Sequence, residues 1–296
     1  MPPAAIYLDH AAPTPMCEQA VSWMSVGHSL YGNPSSMHWA GQATRDGLAT
    51  ARGEVAKLFG CPPTEIVFTS GGSEAINLAL YGTFAARGWR GHLVTSALEH
   101  SATLKCVETL RERGVTVTVV PPTPGGHVTV NAIAQALRDD TVLVSIMHAN
   151  NEIGTMVDLE RLSRICREHG ALLHTDTVQT VGHFPIDVQK TPVNFLSGAA
   201  HKFHGPKGVG FIYINSASPI KPFIDGGAQE RNMRGGTENV YGIVGQAKAL
   251  ELATAEMETR SQHIIDLRNY MKNRLMESIE DVSFLGDLDG DCLYTV

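Results

Sequence analysis

Two spacings of hydrophobic positions alternate along the chain. Short apolar, β-branched runs occur at EIVFTS (Glu65–Ser70), HLVTSA (His92–Ala97), VTVTVV (Val115–Val120), TVLVSIMH (Thr141–His148) and ALLHTD (Ala171–Asp176). VNFLSGAA (Val193–Ala200) and VGFIYI (Val209–Ile214) follow, and each run predicts a strand. Between the earlier runs lie SEAINLALYGTFAARG, SATLKCVETLRERG, NAIAQALRD and DLERLSRICREHG, which read as helices. In the last, Leu159, Leu162, Ile165 and Cys166 share one helix face, and Gly170 is a natural stop. Strand and helix in regular order predict an α/β chain: a mainly parallel sheet with helices on both faces. Such sheets bind ligands at the carboxyl ends of their strands, which selects the loops that matter.

After Gly236 the pattern changes. Residues from Val240 to about Ile279 read as one or two long, charged helices, and GDLDGDCLYTV as a turn entering a strand. The expected division is an N-terminal arm (1–15), a large domain (16–256) and the start of an incomplete α+β small domain (257–296). PPTPGGH (Pro121–His127) is a loop.

Composition narrows the class of partner. The net charge of the 296 residues is −7 with Lys and Arg scattered, which gives no support to nucleic-acid or anionic-membrane binding. No apolar window reaches the length of a membrane span, and the N-terminus lacks the pattern of a signal peptide. The five cysteines (Cys17, Cys61, Cys106, Cys166, Cys292) contain no Cys-x-x-Cys pair, so neither a disulfide framework nor a zinc site is expected. A reducing, cytoplasmic location follows as the expectation.

The chemistry lies in four loops. In EIVFTSGGSEAIN a strand meets two glycines and a helix start. Gly72 and Ser73 there read either as a phosphate cradle or as a plain turn with Ser73 as N-cap. ALLHTDTVQ ends a strand on Asp176, with Gln179 three residues on; the carboxylate could cap a helix, hold a metal, orient a histidine or pair with a protonated heterocycle. MHANNEIG supplies Asn151, and ALEHSATL places His100 at a helix start. His174 reads as structural. AHKFHGPKG sets Lys202 between apolar strands, where it reads either as a surface lysine in a plain turn or as a desolvated one whose lowered pKa yields a neutral amine; Lys207 reads as a surface residue. Taken together, a lysine for an aldehyde, an aspartate for a pyridinium nitrogen and a glycine–helix cradle make a pyridoxal 5'-phosphate (PLP) site. Asn151 and Gln179 could then meet the ring hydroxyl and His100 the ring face.

The motifs YLDHAAPTP, YGNPSSMH, EIVFTSGGSEAINLAL, LEH, NNEIG, HTDTVQ, AHKFHGPKG and RGGTENV, in this order, make the sequence resemble the cysteine desulfurases, class-V relatives of the aminotransferases. The resemblance implies PLP-dependent transferase fold type I, a homodimer, and conversion of L-cysteine to L-alanine with sulfur held as a persulfide. An acceptor protein, either an iron–sulfur scaffold or a thiolation carrier, would take the sulfur. By position, Lys202 would be the Schiff-base lysine, Asp176 the pyridinium partner and His100 the stacking acid/base. Gly72, Ser73 and His201 would meet the phosphate, Asn151 and Gln179 the ring oxygen, and Thr237 the phosphate of the neighbouring subunit.

Two departures stand out. Ala199 occupies a position where many members carry a phosphate-donating Ser or Thr, so weaker cofactor retention is expected unless Ser197 compensates. The family's nucleophilic cysteine and the arginine that holds the substrate carboxylate are not found before Val296, so the chain reads as truncated, and none of the five cysteines is assigned the role. A selenocysteine lyase or another class-V enzyme is one alternative, and an inactive truncated chain that binds the cofactor or serves as a non-enzymatic partner of a full-length subunit is the other.

Overall fold

The computed structural model describes residues 6–288, 290 and 292–295. The expected strands all form: β1 (Ile66–Thr69), β2 (His92–Ser96), β3 (Thr116–Val120), β4 (Thr141–Met147), β5 (Leu172–Asp176), β6 (Phe195–Ala199) and β7 (Gly210–Ile214). They make one sheet in the order β1-β7-β6-β5-β4-β2-β3. Pairs from β3 through β6 are parallel, whereas β7 runs antiparallel to both β6 and β1. Reversal of β7 leaves β1 pointing the same way as the parallel strands, so its carboxyl end opens on the same edge.

Alternation along each strand splits the core in two. Phe68, Val94, Val144, Leu196 and Phe211 face one side. There they meet α2 (Trp39–Phe59), α5 (Val130–Ala136), α6 (Leu159–His169) and α7 (Val240–Ala255). Their neighbours Val67, Leu93, Leu143, Phe195 and Ile212 face α3 (Gly72–Ala86) and α4 (Ser101–Glu112). Gly170 ends α6 in a left-handed conformation at φ 78°, as its sequence predicts. Helix α1 (Glu18–Gly27) packs on α7.

Helix α8 (Met257–Ser278) begins where the second domain is expected, and none of its residues is buried. The terminal strand expected in GDLDGDCLYTV is instead a single bridge between Cys292 and Thr155. Leu293 and Tyr294 are buried, and the Leu293 N–H donates to Gly154 O at 2.7 Å. Residues 1–5 of the expected arm and Val296 lie outside the described residues. The rest of the arm crosses the sheet edge, where the Thr14 N–H and hydroxyl both donate to His201 O at 2.8 Å. Among the described residues no helix is long and apolar enough to cross a membrane.

Candidate active site

A cavity of about 410 Å³ opens at the carboxyl edge of the sheet. It is lined by Gly72, Ser73, His100, Asn151, Asp176, Gln179, His201 and Lys202, every expected site residue but one. The exception, Thr237, is exposed and lines a separate small pocket with Ser70 and Arg234.

Each residue arrives by a local device. Asp176 ends β5, and its Oδ1 accepts the Val178 N–H at 2.9 Å. Burial raises its pKa, against that hydrogen bond and the nearby positive charge of Lys202. Lys202 ends the 3-10 turn Ala200–Lys202 directly after β6, and its ammonium donates to Ala11 O. Burial pulls its pKa down, opposed by Asp176, Asp9 and Glu152. Neutral amine is therefore easier to reach than on a surface lysine such as Lys207, which is exposed. His100 caps α4: its Nδ1 accepts the Ala102 N–H at 3.1 Å, which leaves Nε2 to carry the proton of the neutral ring.

Ser73 is not the N-cap of α3. That position is Gly71, at φ 152°, and no side chain caps the helix. Glu74 reaches back to the Ser70 N–H at 2.9 Å and is itself held by Arg234, so the helix start beside the cavity has no side-chain cap among the described residues. A Cβ on Gly72 would come within 2.7 Å of Val178 Cγ2, so the glycine keeps the helix start close to the cavity wall. Ser197 does not compensate for Ala199. Its hydroxyl is buried and bonded to His174 Nε2 at 2.8 Å, while His174 Nδ1 meets Ser145 at 2.8 Å. His174 is thus a satisfied core residue, as its alternating position on the strand implies.

Asp9, Ala11, Ala12, Met147 and Glu152 also line the wall, and their residue types alone do not point to it. Ala11 acts through its backbone: its O accepts from Gln179 Nε2 at 2.9 Å as well as from Lys202. The signal for them was the YLDHAAPTP motif, which carries no periodicity.

The donor set fits PLP. An amine, a buried carboxylate, an imidazole and uncapped helix amides converge on one cavity, with a glycine where a side chain would press on its wall. Architecture and site together define a fold type I enzyme of the PLP class. The chain belongs to the aminotransferase class-V family, matched over residues 6–294, and within it to the cysteine desulfurases. It is 44% identical over 283 residues to the cysteine desulfurase IscS of Dictyoglomus turgidum, covering 95% of this chain and 72% of that protein. With the IscS of Methanosarcina thermophila it shares 43% identity, covering 93% of this chain and 68% of the relative. A solved NifS-like protein superimposes with a TM-score of 0.93 at 38% identity, over 98% of this chain and 80% of its own. A structure of SspA in complex with cysteine matches at a TM-score of 0.81 and 36% identity, over 83% of this chain and 72% of that one.

Proposed function

We propose that this protein binds PLP and converts L-cysteine to L-alanine, passing the sulfur as a persulfide to an acceptor protein of the iron–sulfur scaffold or thiolation-carrier kind. The observation that carries the reading is convergence: Lys202, Asp176, His100 and the open start of α3 line one cavity. The related structure that holds cysteine supports the substrate class. When bound, PLP would supply an electron sink for the bonds at the substrate α-carbon.

The chain's own residues do the rest. Lys202, desolvated, offers an amine to the cofactor aldehyde. Asp176, buried opposite that lysine, holds a proton on the ring nitrogen. His100 has Nδ1 tied to its helix, so Nε2 is the atom that gives and takes a proton at the ring face. Gly72, Ser73 and His201 hold the phosphate, the first two through the helix N-terminus. Asn151 and Gln179 meet the ring oxygen, and the arm that bonds Lys202 and Gln179 through Ala11 O helps to exclude water. Among the described residues no cysteine lines the cavity, and the reading assigns the persulfide to none of the five. It also makes the protein a homodimer in which exposed Thr237 reaches the phosphate bound by the other subunit, and divides the chain at residue 256.

The test is the visible absorption spectrum of the protein with PLP, before and after L-cysteine, beside Lys202→Ala. A band that depends on Lys202 and changes with L-cysteine, with alanine as product, is expected. Absence of a lysine-dependent band refutes the cofactor site; a band indifferent to L-cysteine refutes the substrate.

A further inference from the structure

Directly before His100 sits Glu99, a carboxyl group that the reading above does not use. It is 5% exposed and does not line the cavity. Its Oε1 accepts two hydrogen bonds, from Ser96 Oγ at 2.6 Å and from the Met147 N–H at 3.0 Å. Its Oε2 is buried and has no hydrogen-bond partner among the described residues.

These contacts join the elements that make the cavity. Ser96 ends β2 and Met147 ends β4; Met147 lines the cavity and pairs in register with Asp176. A second tie runs parallel to the first, from Asn150 Nδ2 to Leu98 O at 2.9 Å. The loop that presents His100 is thus fastened to the strand beside Asp176.

We propose that Glu99 is a positioning residue of this site, held as a neutral carboxylic acid that locks the β2–α4 loop to the end of β4. The assignment of charge rests on the bare Oε2. An anionic oxygen buried without donors is among the costliest arrangements a protein can hold, whereas a protonated one carries no net charge. Asp176 also acts on Glu99, since its charge repels a second anion there. Burial accordingly pushes the Glu99 pKa up to about 8. The neutral acid keeps both bonds of Oε1 while leaving Asp176 its charge.

The positioning role concerns the PLP site and rests on that reading, but the protonation state does not, so the test has separate arms. In the first, protein carrying 13C at the glutamate δ-carboxyl is titrated by NMR, without and then with PLP, and Glu99→Gln identifies the signal by its loss. Glu99 is expected protonated at pH 7 and ionising near pH 8; a signal already ionised at pH 7 overturns the proposal. In the second, PLP dissociation constants are compared. Glu99→Gln, which keeps the acceptor and cannot ionise, should stay within roughly twofold of the parent, and Glu99→Ala should bind roughly tenfold more weakly. A Gln variant as weak as Ala, or an Ala variant equal to the parent, overturns the positioning role. If no variant and no parent binds PLP, the cofactor reading fails while the NMR result still stands or falls alone.

Discussion

Glu230 offers a direct measure of what holds the sheet edge together. Its side chain, 2% exposed, accepts from Arg52 Nη1 at 2.6 Å and Nη2 at 2.8 Å, with Arg52 itself 12% exposed. It also accepts the Phe68 N–H of β1 at 2.9 Å. Glu230→Ala therefore strands a mostly buried guanidinium and one strand N–H. Breaking a buried pair from one side costs about 3–5 kcal/mol, and an orphaned buried N–H about 1–3 kcal/mol. Arg52 keeps Ile66 O at 2.8 Å and lies 4.6 Å over the Phe68 ring, which holds part of its charge and argues for the lower end of the sum. We expect a loss on the order of 4 kcal/mol in the free energy of urea unfolding. Removing both charges, as Arg52→Met with Glu230→Leu, should recover most of it, because the desolvated cation goes too. The same carboxylate anchors three successive non-glycine residues at positive φ, Glu230 (45°), Arg231 (57°) and Asn232 (65°), so its removal should also loosen the run toward Thr237. A single-variant loss below about 1 kcal/mol, or a double variant worse than the single, would refute the reasoning.

Other expectations concern backbone packing, acid and thiols. A Cβ at Gly210 would meet Gly198 O at 2.5 Å and Gly71 Cα at 2.7 Å, so Gly210→Ala should displace the start of α3, cost about 1–3 kcal/mol and weaken PLP binding in a spectroscopic titration; unchanged binding would count against the cradle. Burial holds His148 and His183 down at about 4 and His174 at about 3, from an ordinary 6.5. The unfolded chain therefore binds more protons between these values, and stability should fall as pH drops below about 6.5, which urea midpoints at stepped pH would show. Glu99 acts oppositely: with its folded pKa raised, its contribution is complete below pH 4.5 and declines as pH rises toward 8, so Glu99→Gln should gain on the parent over that window. Burial pushes Cys106 up to about 11 and Cys61 and Cys166 up to about 12, so mass spectrometry after brief alkylation at pH 8 should find label on half-buried Cys17 or Cys292 before these three.

Strand positions were legible because each strand is an apolar run bounded by turn residues. The direction of β7 was not read, although the link from Ala199 to Gly210 carries no crossover helix and so cannot return the chain parallel. Lys202, Asp176 and His100 could be picked out because strand ends select loops and those side chains are conspicuous there. Ser73 misled in its plainer reading: a serine beside a helix start usually caps it, but Gly71 took the cap and Glu74 the reach-back bond. The arm was opaque because Ala11 contributes a carbonyl, which no side-chain pattern reveals. Glu99 carries no signal in the sequence, because a glutamate in a loop is normally solvated and only its three-dimensional surroundings bury it.

The reversed strand has a bearing on how the protein is made. Edge strand β1 finds its sheet partner, among the described residues, in β7, where Ile66 pairs with Tyr213, so the ribosome must add the whole stretch between them first. At typical bacterial-to-eukaryotic elongation rates that is a wait of roughly 7–30 s, during which the glycines of Gly71–Gly72 have no fixed backbone beneath them. Nascent chains should then be unable to load the cofactor until β7 has cleared the exit tunnel. The last strand of the sheet thus sets the earliest moment at which the site can exist.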